Sequence, residues 1–212
     1  MKSKIIVFQF LLVIFSKFSF AQNIKIVKNY YPNGILKSEG KNEDSLAIGD
    51  WKFYYSNGKL NMKCTFENGL LNGKSITYDT SGALEGEEYW KKGLQEGIQK
   101  YFFSDGRIKR MGAMLHSNYD GEWVFYHENS MLKRKGFYVN GLPSGRWSHY
   151  YENGHLAEIV TYAEGLATGY SVFYDINGNI EEEGDYFKGK KVGLWKIYKN
   201  GKVKTEKYSK KR

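Results

Sequence analysis

The 212-residue sequence contains a single cysteine, Cys64. One cysteine excludes an internal disulfide framework and any zinc site built from several cysteines. An exported chain of this composition must therefore rely on its backbone hydrogen bonds and side-chain packing for stability. We expect Cys64 to act as a small apolar residue.

The sequence also lacks the short motifs of common enzymes. It has no Gly-x-Ser-x-Gly, no phosphate-binding loop and no His-Glu-x-x-His. Carboxylate runs occur at Glu87-Glu88 and at residues 181–183, where neighbouring charge would raise the pKa of one group. Adjacent strand residues point to opposite faces, so we interpret these runs as solvated.

No apolar run is long enough to span a bilayer, which requires about 20 residues. The run Ile5–Phe15 is apolar except for Gln9, follows two lysines and precedes the small residues Ser19 and Ala21. This pattern is typical of a signal peptide. We predict a signal peptide at residues 1–21, cut after Ala21, and a secreted or periplasmic domain at residues 22–212. No cysteine stands immediately after the cut, so no lipid anchor is predicted.

The formal net charge is +9, and it falls to +6 when the three lysines of residues 1–21 are removed. The remaining basic residues are spread along the chain, apart from a cluster between Lys204 and Arg212. We interpret that cluster as a solvated tail.

A glycine recurs every 24 residues and defines position 0 of a repeat. These leading glycines are Gly49, Gly73, Gly97, Gly121, Gly145, Gly169 and Gly193. Position 5 is aromatic in every unit, and its members are Tyr54, Tyr78, Phe102, Tyr126, Tyr150, Tyr174 and Tyr198. We call these seven residues the ring row. An N-terminal unit without its glycine precedes them, which gives about eight units.

Position 2 holds four of the five tryptophans, Trp51, Trp123, Trp147 and Trp195. Ser75, Gln99 and Ser171 replace them in the other units. Position 9 is a turn glycine in most units, often as Asn-Gly, with Ser130 in one. Asn-Gly between aromatic-rich runs predicts a β-hairpin with a type I′ turn, which needs positive φ at both central residues.

The pattern predicts an all-β fold, an elongated antiparallel β-hairpin meander with strands of about 5 to 7 residues and no helices. With a two-residue first turn, position 2 pairs with position 15. Positions 2, 4, 6, 11 and 17 then share the core face. The ring row lies on the other face, among charged residues at positions 12 and 14. A three-residue turn would reverse part of this arrangement.

The pattern Gly-x-Trp-x-x-Tyr-Tyr-x-Asn-Gly-x-Leu, clearest at residues 49–60 and 145–156, resembles the MORN-repeat variant family over residues 25 to 208. The resemblance implies an elongated sheet used as a binding or scaffolding surface, with no catalytic motif. Membrane-lipid contact is proposed for some eukaryotic relatives. Many exported bacterial members are labelled antitoxins. The chain departs from the pattern where tryptophan is replaced at position 2.

The four histidines, His116, His127, His149 and His155, occupy four different repeat positions. His149 and His155 could face each other across a turn, with Glu152 or Glu158 as a third metal ligand. Surface histidines are the favoured interpretation. We therefore predict no catalytic, cofactor or metal site.

The ring row is the candidate interaction surface, because ring faces can stack on sugars or on the side chains of a partner. The alternative is that these rings form a second packing layer. We expect a non-enzymatic module that binds a protein or a glycan in the cell envelope or outside the cell.

Two other functions remain open. Lys52, Lys100, Lys133, Lys196 and the basic tail would meet anionic lipid in a membrane-surface binder. An antitoxin would need a cytoplasmic chain. Nucleic acid is not a predicted partner, because acidic residues are interspersed and the predicted compartment is wrong.

Overall fold

The computed structural model describes residues 23–209, so the predicted signal peptide lies outside the described residues. The described residues form one open antiparallel sheet of 18 strands and contain no helix, as the sequence predicts. In this part of the chain no helix is therefore available to cross a membrane.

Most strands have 8 or 9 residues, which is longer than predicted. In chain order the strands are β1 (Ile24–Tyr30), β2 (Leu36–Glu43), β3 (Leu46–Tyr54), β4 (Leu60–Glu67), β5 (Leu70–Leu71), β6 (Gly73–Tyr78), β7 (Leu84–Lys91), β8 (Leu94–Gln95), β9 (Gly97–Phe102), β10 (Ile108–Leu115), β11 (Asn118–Tyr126), β12 (Leu132–Val139), β13 (Leu142–Tyr150), β14 (Leu156–Ala163), β15 (Leu166–Tyr174), β16 (Ile180–Phe187), β17 (Lys190–Lys199) and β18 (Lys202–Tyr208).

Each strand pairs with the strands before and after it in the chain, so the sheet is a continuous meander. Strands β5 and β6 are two segments of one interrupted strand, and so are β8 and β9. Strands β1 and β18 are the two outer strands of the described sheet.

The Asn-Gly pairs predict a type I′ turn at the first turn of each unit, but the structure has that turn type at the second turn. In the first turn only Gly58 of the Asn57-Gly58 pair has positive φ, and five residues connect β3 to β4. The Tyr55 carbonyl accepts a hydrogen bond from the Gly58 amide at 2.9 Å. The second turn is the two-residue type I′ turn, with φ of +50° at Asn68 and +77° at Gly69.

The predicted register of position 2 is nevertheless confirmed. Trp51 pairs with Cys64, Trp123 with Gly136 and Trp147 with Val160. A bulge next to the five-residue turn brings the two strands back to the register that a two-residue turn would give. The bulge also changes which side chains share a face, because position 5 now pairs with position 11, as Tyr54 does with Leu60.

Paired residues point to the same side of a sheet. The position 11 aliphatics therefore lie with the ring row, and their predicted place on the core face is wrong. The lysines at position 12 move to the other side, where Lys109 lies 5.7 Å from the Phe103 ring centroid at position 6. Position 14 stays beside the ring row, as the bond between Tyr54 and Glu39 shows.

The core lies on the side of the sheet that carries position 2, which we call the Trp face. Its centre is a cluster of Met114, Trp123, Phe125 and Trp147. Trp123 and Trp195 are 0% exposed although no second layer covers this face within the described residues. Tyrosines stand against the indoles, as Tyr138 does against Trp147 with 5.0 Å between ring centroids.

A leading glycine lies inside a strand rather than in a turn. Between the pairs Gly112–Trp123 and Ala113–Asp120, strand β11 carries two extra residues. One of them is Gly121 with a φ of +69°, a left-handed conformation that glycine adopts without strain. This bulge frees the Ala113 carbonyl, which accepts a hydrogen bond from the Trp123 indole Nε1 at 2.7 Å.

The same bulge and indole bond recur at every tryptophan of position 2. The acceptor is always the position 16 carbonyl of the preceding unit, namely Lys41, Ala113, Phe137 and Asp185. Gln99 replaces the indole with its carboxamide, which exchanges two hydrogen bonds with the backbone of Tyr89. Ser75 and Ser171 are buried with an unpaired hydroxyl.

Candidate functional site

The ring row lies on the face opposite the tryptophans, as predicted, and all seven rings are half-buried. Their burial comes from the paired aliphatics of position 11, so the row is partly a packing layer. Tyr54 donates a hydrogen bond to Glu39 and Tyr198 donates one to Glu183, each at 2.8 Å. The remaining exposed ring surface still forms a line that crosses the sheet from β3 to β17.

These carboxylates change the acidity of the phenols. Burial and the bond to Glu39 raise the pKa of Tyr54, and the bond to Glu183 raises the pKa of Tyr198. In return, bonds from Tyr170, Lys196 and Tyr198 lower the pKa of Glu183. Glu183 was one of the carboxylates considered for acid–base chemistry, and the direction of its shift is the opposite of what a proton donor needs.

Two of the lysines considered for lipid binding are close to the same carboxylates. Lys52 lies 3.8 Å from Glu39, and Lys196 lies 3.0 Å from Glu183. Their positive charge is already offset within the sheet. The electrostatic case for a membrane surface is therefore weaker than the sequence suggests.

A second row of apolar side chains lies on the same face as the ring row, near the second turns. It occupies position 21, and we call it the leucine row: Leu46, Leu70, Leu94, Leu142 and Leu166. Each is between 43% and 50% exposed. Other exposed apolar residues, such as Phe137 and Leu194, widen this surface. The 24-residue spacing of these leucines is a signal in the sequence that could have predicted the row, although Asn118 and Lys190 interrupt it.

The leucine row also covers the turns. An added Cβ at Gly69 would lie 3.3 Å from Leu46 Cδ2, and one at Gly165 would lie 3.3 Å from Leu142 Cδ2. Four of the leucines thus pack on the turn glycine of the next unit while their outer sides remain in solvent, namely Leu46, Leu70, Leu142 and Leu166. Contiguous exposed apolar surface of this kind is characteristic of interaction sites.

A groove of about 890 Å³ lies on the Trp face, and the ring-row residues Phe102 and Tyr126 also contribute to its lining. Two arginines stack on rings along it. The guanidinium carbon of Arg110 lies 4.2 Å from the Tyr101 centroid, and that of Arg134 lies 4.1 Å from the Phe125 centroid. We call this site the arginine groove. The repeat pattern does not predict this groove, because arginine at position 13 occurs only in these two units.

The histidines are not brought together as metal ligands. His149 Nδ1 lies 3.0 Å from Glu158, whereas His155 Nδ1 lies 3.0 Å from the Ile176 carbonyl of the next unit. His127 Nε2 lies 2.8 Å from the Tyr150 carbonyl. Among residues 23–209 no group of three potential ligands is close enough to hold a metal ion.

The predicted carboxylate pairs have separate structural partners. Glu87 forms an ion pair with Lys74 at 2.9 Å, and Glu88 accepts a hydrogen bond from Tyr101 at 2.9 Å. Glu182 pairs with Lys191 at 2.6 Å. These contacts tie strands together and leave no two of these carboxylates facing one another as an acid and a base would.

Comparison with solved structures gives distant likenesses. The chain has 13% identity and a TM-score of 0.23 to a crystal structure described as TcdB2-TccC3-Cdc42, covering 85% of this chain but only 10% of that one. It has 10% identity and a TM-score of 0.20 to a porin-like protein from Bacteroides uniformis, covering 89% and 90%. No functional argument rests on either. No curated protein sequence matches the chain.

The family comparison is more informative. Four segments, residues 25–41, 48–68, 119–140 and 143–164, match the family described as MORN repeat variant. The segments around Ser75, Gln99 and Ser171 are not matched, and neither is the segment around Trp195. MORN repeats are a non-enzymatic, all-β repeat type that serves in binding or scaffolding. The hairpin meander, the 24-residue period and these matches show that the chain belongs to the MORN repeat variant family.

Proposed function

We propose that this protein is a non-enzymatic interaction module of the cell envelope or exterior. Its binding surface is the face that carries the ring row and the leucine row. The observation that supports this proposal is the two parallel lines of partly exposed apolar side chains on one face of a single-layered sheet. An open surface with repeated contacts suits an extended partner, whether a protein or a glycan.

The chemistry of the two rows differs, and this gives the surface its selectivity. The ring row offers ring faces flanked by charge pairs such as Lys196–Glu183, whereas the leucine row offers only apolar contact. A partner that uses both rows presents apolar groups to one side and hydrogen-bonding groups to the other. Neither row brings a nucleophile next to a base, so the face is suited to binding rather than catalysis.

A pull-down from the cell-envelope fraction tests the ring row. The chain is compared with a triple variant, Tyr54→Ala, Tyr126→Ala and Tyr150→Ala. A second variant serves as the control: Met131→Ala and Ile176→Ala remove two exposed apolar side chains in first turns, outside both rows. Circular dichroism checks that both variants are folded.

We expect a partner that is retained by the control and lost by the ring-row variant. Protease treatment of the fraction should remove a protein partner and spare a glycan. A partner that both variants retain would place binding elsewhere, and the rings would then be a packing layer alone.

Export is tested separately by the N-terminal sequence of the natural protein. A chain that begins at Gln22 and is found outside the cytoplasm supports the proposal. A chain that keeps residues 1–21 and remains in the cytoplasm contradicts it. That second result would instead favour the antitoxin alternative, which requires a cytoplasmic partner.

A further inference from the structure

The two arginines of the arginine groove lie on the Trp face, opposite the leucine row, and their charge is not neutralised by ion pairs as the charges at the same position of the next two units are. Position 13 is occupied by Arg110 and Arg134 in two adjacent units and by Glu158 and Glu182 in the next two. The glutamates are paired, Glu158 with His149 and Glu182 with Lys191. Within the described residues, neither arginine takes part in an ion pair of this kind.

The arginines are instead held in place by aromatic rings. Arg110 stacks on Tyr101 and donates a hydrogen bond to the Tyr119 hydroxyl at 2.9 Å. Arg134 stacks on Phe125, and its Nε is buried without a hydrogen-bond partner. Stacking fixes the guanidinium plane and leaves its N–H edge free to meet a planar acceptor. Buried polar groups normally have a partner, so an unpaired Nε points to a missing acceptor.

Three glutamates, Glu85, Glu128 and Glu152, are exposed along the rim of the groove. These glutamates would repel a continuous polyanion, because its closely spaced charges would lie near the rim as well as near the arginines. Isolated carboxylates placed directly on the guanidinium edges would avoid that repulsion. Arginine binds a carboxylate through two parallel N–H···O bonds, which suits this geometry.

The spacing of the arginines defines the ligand further. They lie on β10 and β12 with β11 between them, so about 9.6 Å separates their backbones at roughly 4.8 Å per strand. A polyproline II chain advances about 3.1 Å per residue with three residues per turn, so side chains three residues apart point to the same side and lie about 9.3 Å apart.

We propose that the arginine groove binds an acidic protein segment in polyproline II conformation, with two carboxylate side chains three residues apart, one on Arg110 and one on Arg134. The inference does not depend on the ring row, and its failure would leave the proposed function of the other face intact.

The test is fluorescence anisotropy with the whole chain and fluorescein-labelled decapeptides of glycine and serine. One peptide carries two glutamates three residues apart, a second carries glutamines at the same places, and a third carries two adjacent glutamates. We expect the first peptide to bind at least about 10-fold more tightly than the others, as two charge-assisted contacts imply.

The double variant Arg110→Gln and Arg134→Gln should weaken binding of the first peptide by about 10-fold to 100-fold. Arg110→Lys with Arg134→Lys keeps the charge but not the planar donor pair, and should bind with intermediate affinity. The control Lys202→Gln with Lys207→Gln removes the same charge from β18, and its affinity should stay within about twofold of the unaltered chain, as expected for distant screened charges.

A measurement on the unaltered chain covers the case in which the arginine variants do not fold. Addition of the first peptide should shift the nuclear magnetic resonance signals of the Arg110 and Arg134 Nε–H groups. Unmoved signals, or equal affinity for all three peptides, would overturn the proposal. Tighter binding of a phosphoserine peptide that lacks glutamates would overturn the assignment to carboxylates.

Discussion

The contact between each tryptophan and a glycine of the preceding unit makes a quantitative prediction. A Cβ added to Gly136 would lie 2.1 Å from Cδ2 of Trp147 and 2.2 Å from its Cε2. The indole cannot easily retreat, because its Nε1 donates to the Phe137 carbonyl at 3.1 Å and the side chain is only 3% exposed. Glycine is therefore required at position 15 wherever tryptophan follows at position 2.

The chain itself supplies the compensated alternative. Where position 15 is Val160, position 2 of the next unit is Ser171, and both are buried. We predict that Gly136→Val alone destabilises the chain by about 3 kcal/mol through overpacking. Trp147→Ser alone should cost about 3 to 5 kcal/mol, because it leaves a cavity.

The double variant Gly136→Val with Trp147→Ser should be more stable than the sum of the two changes by about 2 kcal/mol or more, since valine fills space that the indole has left. The free energy of unfolding of all four chains is measured by urea denaturation monitored by circular dichroism, and the comparison requires that their m-values be equal. Free energies that add within about 0.5 kcal/mol would show that the two positions do not share a site, and the reasoning would be refuted.

Three further predictions concern single residues. Burial raises the pKa of the Cys64 thiol to about 11, so at pH 8 Ellman's reagent should react with the native chain at least about 10-fold more slowly than with the chain in urea. Burial and Glu88 raise the pKa of Tyr101 to about 12. The unfolded phenol ionises near 10, so the associated stability is complete below pH 10 and is lost between pH 10 and 12; melting temperatures should fall over that range, and less steeply in Tyr101→Phe. Trp123→Ala should destabilise its neighbourhood by about 3 to 5 kcal/mol in urea denaturation, and a loss below about 0.5 kcal/mol would contradict its burial.

Periodicity alone was sufficient to predict the hairpin meander, because each hairpin is local and every unit repeats the same strand and turn signals. The pairing of Trp51 with Cys64 also followed from the sequence. The predicted two-residue turn is wrong, since a five-residue turn and a bulge together give the same register. Register depends only on the sum of these two features, so a correct pairing does not prove a correct turn.

The faces were harder to predict, because a bulge interrupts the simple alternation of side chains. Beyond the bulge, the aliphatic of position 11 moves to the ring row and the lysine of position 12 moves to the Trp face. The arginine groove depends on this change, since Lys109 and Lys133 would otherwise lie on the opposite side from Arg110. The extra residue of a bulge is recognised only by comparison with the partner strand, so the residue pattern of one strand does not predict it.

The sequence contains the tryptophan–glycine correlation, but the two residues belong to consecutive units of the repeat. Comparison within one unit sets Trp51 against Cys64 and Trp147 against Val160, which shows no rule. Comparison with the preceding unit sets all four tryptophans against glycine, at Gly40, Gly112, Gly136 and Gly184, and never against any other residue. The sequence repeat and the packing unit are thus out of phase. The smallest element with a complete tryptophan site contains the second hairpin half of one unit and the first half of the next. It follows that stability is lost at the cut ends of a truncated chain unless the cut keeps position 15 together with the position 2 that follows it.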